Sequence, residues 1–596
     1  MKRTDFSVDW LFAACAPDTE LLPWNAQFTP VDLPHDWQIR HADDLYRDGT
    51  LFYRKYFFVT DVPGTRRMLW FGGAYMDTTV FVNGTEVGQW KYGYTSFWFD
   101  ITDALHEGQN EVLVRCNLRH PNSRWYSGAG LYRNVELWEA PDLHLMPDGL
   151  YVAAKEGDNG AWTVAVTAEA GSVTAASTGR TLTLHLTDDN GSLLGTAAIP
   201  ADAWAALPSP DGWRTGKETA IYKASHTFTL QDPALWDLDA PSFYHITAEL
   251  TGADGVTDTL TTRFGCRTIE ATPDCGLLVN HKRVLIKGVC IHHDFGCLGS
   301  AFEYSAAKRQ LEILKSMGVN SIRTGHTPPA PQFMDLADEM GILMDVESFD
   351  CWRSGKNPYD YGRFFDEWQE KDVAAWIRRD RNHPSLLFWC IGNEIYDTHA
   401  GSEGADTMRM LLAEVAAHDP ARNGIPTLGS NYMPWENTQH CADIIKVAGY
   451  NYGERLYASH HEKHPDWVIY GSETSSIVQS RGIYHFPLSQ SLLSDDDLQC
   501  SSLGNSRTSW GAESWDVCLQ SEQRWPFTLG QYLWTGWDYI GEPTPYHTRS
   551  SYFGTIDTAG FPKDAYYVVQ AAWLDPKTHP MVHLFPYWDF NEGQLI

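Results

Sequence analysis

The sequence lacks several features that mark other classes of protein. None of its 11 cysteines forms a CxxC pair of the kind that binds zinc. No apolar run approaches the roughly 20 residues that are needed to span a bilayer. The N-terminus, MKRTDFSVDWLF, has a basic start but not the apolar core of a signal peptide. We therefore expect no metal site, no membrane partner and a cytoplasmic protein with reduced thiols.

Positive charge is also scarce. Lysine and arginine together number 45 against 76 acidic residues, which gives a formal net charge of −31. Such a chain repels phosphates, which argues against nucleic acid and anionic membrane surfaces as partners. Low-complexity linkers and solenoid-type repeats are missing as well, so the domains should pack closely. The 596 residues, of which 43% are hydrophobic, suffice for three to five domains of about 100–200 residues each.

Aromatic residues are abundant, with 25 tryptophans, 28 tyrosines and 26 phenylalanines. Most of these rings should belong to the hydrophobic cores. Aromatic rings also form flat apolar platforms on which the C–H faces of sugars stack, so a minority could bind carbohydrate.

Residues 1–140 are predicted to form a jelly-roll β-sandwich. Runs such as LFYRKYFFV, TTVFVNGTEVGQW and NEVLVRCNL are rich in β-forming residues and are separated by Gly, Asn and Pro. The Asn-Gly pair in FVNGTEVG is a strong signal for a two-residue hairpin loop.

Residues 141–265 are predicted to form an immunoglobulin-like β-sandwich. The β pattern continues there with smaller residues, and TLTLHL alternates with a period of two, as expected of a strand with one buried face. The length of the segment suits a sandwich of this type.

Residues 266–596 are predicted to form a catalytic (β/α)8 TIM barrel. Eight apolar strand candidates, from RVLIKGV to GQYLWTGWDY, mostly alternate with helical periods. One of these helices, SAAKRQLEILKSMG, has Gly318 where a C-terminal cap belongs.

Polar and aromatic residues occur at nearly every predicted strand end, which is where TIM barrels carry their active sites. The stretch LLFWCIGNEIYD shows the pattern, because its apolar run stops abruptly at Asn393 and Glu394. The strand-end residues are His292, His293, Asp294, Arg323, His326, Glu347, Asp350, Trp352, Asn393, Glu394, Tyr450, Asn451, Tyr452, Glu473, Trp534, Trp537 and Asp538.

Two of these carboxylates suit glycoside hydrolysis. Strands 4 and 7 lie on opposite sides of a barrel, so Glu394 and Glu473 can converge across its mouth. One carboxyl group must be protonated to assist the leaving oxygen, and we expect this to be Glu394. The other must be ionised to attack the anomeric carbon, while Asn393 can hydrogen-bond the sugar 2-hydroxyl.

Other interpretations of the same residues stay open at this point. Glu473 could be a solvated strand end, His326 could cap a strand and Tyr452 could belong to the core. His292 and His293 could bind zinc, but no third and fourth ligands follow at metal spacing.

Long ordered motifs along the whole chain resemble family 2 of the glycoside hydrolases. LPHDW and NSRWYSGAGLYRNVEL are similar to the beginning and end of the family's sugar-binding jelly-roll domain, and RFGCRTIE is similar to its junction with the barrel. The resemblance therefore implies that residues 1–140 are a sugar-binding-like domain. KGVCIHHDFGCLG, SIRTGHTPPAPQFMDLADEMGILMDVESFD, RDRNHPSLLFWCIGNE and GSETSS resemble the barrel signatures.

The resemblance implies roles for individual residues. Glu394 would be the acid/base and Glu473 the nucleophile, with Arg323 paired to a catalytic carboxylate. Tyr452 would position the nucleophile, and Trp534 would form a floor against the sugar ring. The implied sugar contacts are Asp294, His326, Asn393, Tyr452 and Trp534.

Within the family, the motifs look most like those of bacterial β-galactosidases. β-Glucuronidases of the family typically carry an Asn-x-Lys pair for the substrate carboxylate, whereas FPKDAYY has only the lysine. Arg124 or Arg481 could still bind a uronic acid. The metal-binding pattern of the large β-galactosidases is not clearly matched. Family members also continue past PYWDF, so the chain is expected to be a core fragment or a short member.

We therefore predict a retaining, exo-acting hydrolase that removes terminal non-reducing β-D-galactosides by double displacement. The alternatives are a β-glucuronidase or β-galacturonidase on the same scaffold, or a carbohydrate-binding protein without turnover. No cofactor is expected, the partner is a small carbohydrate substrate, and a homo-oligomer is expected.

Overall fold

A computed structural model describes residues 1–586 except 42, 61–63, 174–179, 208–212, 253–254, 256, 488, 491, 494–498 and 508–511. The expectation that the chain is a core fragment or a short member depends on its C-terminal segment, PYWDFNEGQLI. Most of this segment lies outside the described residues. No helix in the described part of the chain is long and apolar enough to cross a membrane.

The first module is an antiparallel sandwich of two sheets, as the sequence predicts. Its six-stranded sheet has the order Thr29–Val31, Trp10–Cys15, Gly49–Val59, Gly108–Leu118, Thr78–Val82, Thr85–Trp90. Its four-stranded sheet has the order Lys2–Asp5, Val135–Pro141, Thr65–Phe71, Phe97–Asp100.

The hairpin predicted at FVNGTEVG is present. Asn83 and Gly84 connect strands Thr78–Val82 and Thr85–Trp90, with φ of 50° and 79°. Positive φ at both loop residues is the geometry of a type I′ turn, which Asn-Gly tolerates because glycine has no Cβ.

The second module is also a sandwich of two four-stranded sheets. One sheet has the order His144–Glu156, Ala161–Ser172, Ala220–Gln231, Ala205–Ala206. The other has the order Leu193–Pro200, Thr181–Asp188, Tyr244–Thr251, Thr257–Phe264. The predicted alternation in TLTLHL is observed, since Leu182, Leu184 and Leu186 are buried and form part of the core between the sheets.

A closed barrel of eight parallel strands follows, and all eight predicted strands belong to it. A small antiparallel sheet precedes it: Ile269–Thr272, Gly276–Val279, Lys282–Val284. The barrel strands are β1 (Ile286–Ile291), β2 (Ser321–Thr324), β3 (Leu343–Glu347), β4 (Leu386–Asn393), β5 (Ile425–Ser430), β6 (Val447–Asn451), β7 (Val468–Thr474) and β8 (Gly530–Leu533).

Helices alternate with most of the barrel strands. They are α1 (Tyr304–Ser316), α2 (Pro331–Met340), α3 (Phe365–Asp380), α4 (Asp397–Ala400), α5 (Glu403–His418), α6 (Glu436–Ile445), α7 (Tyr457–Lys463), α8 (Trp515–Arg524) and α9 (Asp564–Trp573). Short strand pairs Leu492–Leu493 with Ser506–Arg507 and Tyr539–Ile540 with Ser550–Ser551 lie outside the barrel. Gly318 follows α1 with φ of 102°, a left-handed backbone that suits the predicted cap.

The continuous apolar run of β4 follows from its position. All eight residues of the strand are buried, because a parallel barrel strand faces other side chains within the barrel and helices outside it. Where such a strand ends, its polar residues reach the barrel mouth. This explains why a carboxamide and a carboxylate directly follow an apolar run.

The first sandwich packs directly on the barrel. Thr95 donates a hydrogen bond to Asp372 of α3 (2.7 Å), and Arg133 donates to the carbonyl oxygen of Pro328 (2.9 Å). The Trp90 and Trp368 rings meet edge to face, with centroids 5.6 Å apart. These contacts hold one edge of the sandwich against α3 and the loop that follows β2. The predicted domain boundaries at 140/141 and 265/266 stay predictions.

Candidate active site at the barrel mouth

Glu394 and Glu473 lie at the ends of β4 and β7, as the sequence predicts. Both side chains are largely buried, at 8% and 3% exposure. Glu394 has a left-handed backbone with φ of 46°, and Tyr452, directly after β6, has φ of 54°. Non-glycine residues seldom adopt this conformation, and it concentrates at functional sites. Here it turns the chain out of each strand at the barrel mouth.

Arg323, at the end of β2, joins three strands through one guanidinium group. It is fully buried and donates from Nη1 to Oε1 of Glu473 (2.8 Å). From Nη2 it donates to Oε1 of Glu347 and to Oδ1 of Asn393 (3.0 Å each). Gly429 of β5 leaves room for it, since a Cβ there would lie 2.9 Å from Nη2. The planar fork of arginine suits such multiple contacts.

Glu473 accepts two hydrogen bonds that favour its ionised form. Arg323 binds one oxygen, and the Tyr452 hydroxyl donates to the other at 2.8 Å. Burial nevertheless raises the pKa of Glu473 to about 7, and the Glu394 charge contributes in the same direction. Arg323 and Tyr452 oppose this increase.

Glu394 has a different set of partners. Its Oε1 accepts a hydrogen bond from Nδ2 of Asn451 at the end of β6 (3.0 Å). The same Nδ2 also donates to Oδ1 of Asn393 (3.0 Å), which accepts from Arg323 as well. The two glutamates are thus joined through a continuous chain of hydrogen bonds.

Arg124 of the first sandwich module completes the surroundings of Glu394. It donates from Nη1 to Oε2 of Glu394 (3.3 Å) and from Nη2 to Oδ1 of Asp350 (2.8 Å). Lys356 binds Asp350 from another direction, also at 2.8 Å. Burial acts against ionisation of Asp350, but these two cations bring its pKa down to about 2. Asp350 is therefore an ionised anchor for Arg124.

His326 is neutral, and its hydrogen bonds define its tautomer. Asn393 Nδ2 lies 3.3 Å from Nε2 of His326, which must accept because the amide nitrogen is a donor. Nδ1 therefore carries the proton and donates to Oε2 of Glu347 (3.0 Å). Burial and then the Arg323 charge lower the pKa of His326 well below its usual value, in agreement with a neutral ring.

Trp534, directly after β8, forms part of an aromatic wall. Its ring stacks on the His326 ring with an interplanar angle of 5° and a centroid distance of 5.3 Å. His292 and Tyr539 meet Trp534 edge to face. Trp125, adjacent to Arg124, stacks on His292 at 5.2 Å. This wall places Trp534 against His326, and its contact with a sugar ring stays a prediction.

Asp294 does not join this network of side chains. Its carboxylate accepts hydrogen bonds from the backbone N–H groups of Gly296 (3.1 Å) and Ile540 (3.3 Å). Burial raises its pKa to about 7. In this structure Asp294 connects the loop after β1 with the segment after β8, and its contact with sugar stays a prediction.

The cations considered for a uronic acid are each already paired. Arg481 donates to Asp557 (2.8 Å), and Lys563 is buried and donates to Asp538 (2.7 Å). Arg124 is engaged with Asp350 and Glu394, as described above.

One cluster among the described residues has the spacing of a metal site. Asp335, Asp338 and His383 place ligand atoms within 4.8 Å of one another. However, Asp338 accepts hydrogen bonds from His383 (2.7 Å) and from Arg263 of the second sandwich module (3.1 Å). Despite burial, Asp338 raises the pKa of His383 to about 9. An ion pair between modules therefore accounts for this cluster.

The sequence left several of these partners without a role. Asn451 appeared only as a strand-end residue, although it binds both Asn393 and Glu394. No sequence pattern points to Lys356, and the sequence indicates Arg124 only as a possible ligand of a uronic acid. A spacing of 270 residues between Arg124 and Glu394 gives no local signal.

The site has two carboxylates joined at a barrel mouth, next to an aromatic wall. This arrangement is typical of carbohydrate-cleaving enzymes that are built on a TIM barrel. Comparisons with known proteins agree. The model of the TIM barrel domain of glycosyl hydrolases family 2 matches residues 271–461, and a second model, of glycosyl hydrolases family 2, matches residues 148–267.

Individual relatives extend the match to the whole chain. The β-galactosidase BoGH2A of Bacteroides ovatus is 34% identical over 100% of this chain and 74% of its own length. A putative β-glucuronidase of Formosa agariphila is 29% identical over 98% of this chain and 57% of its own length. A β-glycosidase structure from Bacteroides vulgatus has a TM-score of 0.84 at 27% identity, covering 99% of this chain and 77% of that one. The chain belongs to glycosyl hydrolases family 2 and is a glycosidase.

Replacing Arg323 with lysine tests the hydrogen-bonded centre of the site. The Arg323→Lys variant keeps the charge but cannot bind Glu473, Glu347 and Asn393 together. We expect a loss on the order of 3 kcal/mol in the free energy of unfolding, because buried acceptors lose their partner. The measurements are denaturant unfolding and glycosidase activity.

A matched control is Arg66→Lys, since Arg66 is buried and paired with Asp100 in the first sandwich module. This control should lose stability but retain its activity per folded molecule. Wild-type stability and activity in Arg323→Lys would contradict the role given to this arginine.

Proposed function

We propose that the protein is a retaining, exo-acting β-D-galactosidase in which Glu473 is the nucleophile and Glu394 the acid/base. The observation that carries the proposal is the different environment of the two carboxylates at one barrel mouth. Glu473 is bound by Arg323 and Tyr452, both of which favour its ionised form. Glu394 instead accepts hydrogen bonds from Arg124 and Asn451.

In the proposed first step, Glu473 attacks the anomeric carbon and forms a glycosyl ester, while the bond to the leaving oxygen breaks. Glu394 gives its proton to that oxygen. In the second step, Glu394 takes a proton from water, the water oxygen attacks the anomeric carbon, and the ester bond to Glu473 breaks. The sugar is released with its original anomeric configuration, and Glu394 is protonated again.

Galactose is the proposed sugar because the β-galactosidase of Bacteroides ovatus matches the whole chain. A uronic acid is the second candidate, because β-glucuronidases occur among the relatives. The paired state of Arg481 and Lys563 disfavours this second candidate, since neither has its charge free for a substrate carboxylate.

We also propose a cytoplasmic location, which is supported by buried cysteines outside any disulfide, such as Cys116 and Cys266. Assembly into a homo-oligomer stays a prediction.

A panel of nitrophenyl β-glycosides tests the proposed substrate. The purified chain should hydrolyse the galactoside with the highest kcat/KM, and NMR of the first product should show the β-anomer. If the chain hydrolysed the glucuronide or galacturonide but not the galactoside, the proposed substrate sugar would be a uronic acid and not galactose. If the wild-type chain hydrolysed no glycoside faster than the Glu473→Gln variant does, the result would favour a protein that binds carbohydrate without cleaving it.

The two glutamates should respond differently to removal of their charge. Glu473→Gln should lose nearly all activity on every substrate, because no glycosyl ester can form. Glu394→Gln should slow alkyl glycosides by about 100-fold or more and dinitrophenyl glycosides much less, since good leaving groups need little protonation. An equal loss on both substrate types would contradict the assignment of Glu394.

The pH dependence should reflect the ionisation of Glu473. Burial raises its pKa to about 7, and the reactive form is the carboxylate, so kcat/KM should fall as the pH decreases below about 7. The Glu394 charge raises this pKa and the Tyr452 hydrogen bond lowers it. Glu394→Gln should therefore move the acidic limb to lower pH, and Tyr452→Phe should move it to higher pH.

Dinitrophenyl glycosides keep the rates of both variants measurable. A wild-type profile that is flat down to pH 5, or an upward shift in Glu394→Gln, would contradict Glu473 as the group that titrates.

A further inference from the structure

A partly exposed group of aromatic rings follows the strand ends beside Glu394. Tyr396 lies two residues after Glu394, and Tyr432 and Trp435 follow β5, the neighbouring barrel strand. We call these three residues the aromatic rim. His399 lies among them and belongs to the short helix α4.

The rings of the aromatic rim are in contact through His399. The His399 ring lies 4.1 Å from the Tyr432 ring, 5.4 Å from the Trp435 ring and 5.9 Å from the Tyr396 ring, centroid to centroid. Asn437 donates a hydrogen bond to the carbonyl oxygen of His399 (3.1 Å), which links the two loops. The rim is therefore a fixed arrangement rather than a set of independent side chains.

Core packing does not account for the aromatic rim. Trp435 is 57% exposed and Tyr396 is 40% exposed, so both rings keep much of their apolar surface in water. Exposed apolar surface beside a reaction centre is typical of a ligand-binding surface. Aromatic rings with one polar edge suit ligands that combine flat apolar faces with hydroxyl groups.

The rim lies on the Glu394 side of the site. Lys356 connects the two, because its Nζ donates to the carbonyl oxygen of Asn393 (3.0 Å) and lies 5.9 Å from the centroid of Tyr396. Burial raises the pKa of Tyr432 to about 12, and the charge of Glu394 is the next largest contribution to this increase. Glu473 has its own partners, Arg323 and Tyr452, on the opposite side.

We propose that the aromatic rim is the binding site for the leaving group of the substrate. The inference rests on the proposed function, in which Glu394 protonates the leaving oxygen. The leaving group must then lie on the Glu394 side, where Tyr396, Tyr432 and Trp435 present their rings. The geometry suits a six-membered ring with a flat apolar face, which is supplied by the next pyranose of a β-linked oligosaccharide or by an aryl group.

The test compares leaving groups on variants of the rim. Trp435→Ala and Tyr396→Ala remove exposed rings, and kcat/KM is measured with the methyl glycoside, the nitrophenyl glycoside and a β-linked disaccharide of the same sugar. An aromatic contact contributes roughly tenfold, so each variant should lose about tenfold more on ring-bearing substrates than on the methyl glycoside. Trp435→Phe should recover most of the loss, because it keeps a stacking surface.

Trp24→Ala is the matched control, since Trp24 is 97% exposed in the first sandwich module and lies outside the rim. It should behave as wild type with all three substrates. A loss on the disaccharide alone would identify the leaving group as a sugar, and a loss on the nitrophenyl glycoside alone would identify it as an aryl group. Equal losses on ring-bearing and methyl glycosides would overturn the rim as a leaving-group site.

Failure of the rim and failure of the proposed function are separable. A 2-deoxy-2-fluoro-glycosyl fluoride has a leaving group too small to use the rim, and it should still label Glu473, as detected by mass spectrometry of the peptide. Labelling of Glu473 together with equal losses in the rim variants would remove only the proposal for the rim. Labelling of another residue, or none, would overturn the catalytic assignment itself.

Discussion

The barrel mouth depends on one buried cation. Glu473, Glu347 and Asp345 all approach Arg323 within 3.9 Å in a site that excludes water, and each would be costly to ionise alone. Arg323 stabilises this concentration of negative charge, but one guanidinium cannot neutralise three carboxylates. Burial accordingly raises the pKa of Asp345 to about 6 and that of Glu347 well above its usual range. Burial also raises the pKa of Glu473 to about 7, so this glutamate, with its arginine and tyrosine partners, is placed to titrate near neutral pH.

The barrel alone does not complete this site. Arg124 comes from the first sandwich module and binds both Glu394 and Asp350, while Trp125 from the same loop stacks on His292. The packing of the sandwich on the barrel therefore has a direct chemical consequence: it sets the charge next to the proposed acid/base. In the proposed first step the leaving oxygen approaches Glu394, so it also approaches this arginine of the sandwich module.

Much of the fold could be predicted from the sequence because local patterns encode it. The strict alternation in TLTLHL, the Asn-Gly loop and the apolar run of β4 each depend on neighbours within ten residues, and each is found where it was expected. The same holds for the positions of Glu394 and Glu473, since a strand end fixes where its next residue lies.

The hydrogen-bond partners of these residues could not be predicted in this way. Arg124, Asn451 and Lys356 meet Glu394 or its anchor Asp350 only through tertiary packing, and no spacing in the sequence records that contact. Asp294 shows the converse, because its position at a strand end is as predicted but its carboxylate binds backbone groups.

The two glutamates illustrate how chemically identical side chains acquire different tasks. Each has one arginine, but the arginines differ in their surroundings. Arg323 is fully buried and shared among several acceptors, whereas the side chain of Arg124 is 30% exposed and is anchored by Asp350. Water and an incoming sugar can therefore compete for Arg124 but not for Arg323. A carboxylate whose partner cannot leave is kept in place and favoured in its ionised form for the attack on the anomeric carbon, which is the requirement for a nucleophile. A carboxylate whose partner can be displaced is able to exchange its proton with a leaving group and then with water, which is the requirement for the acid/base.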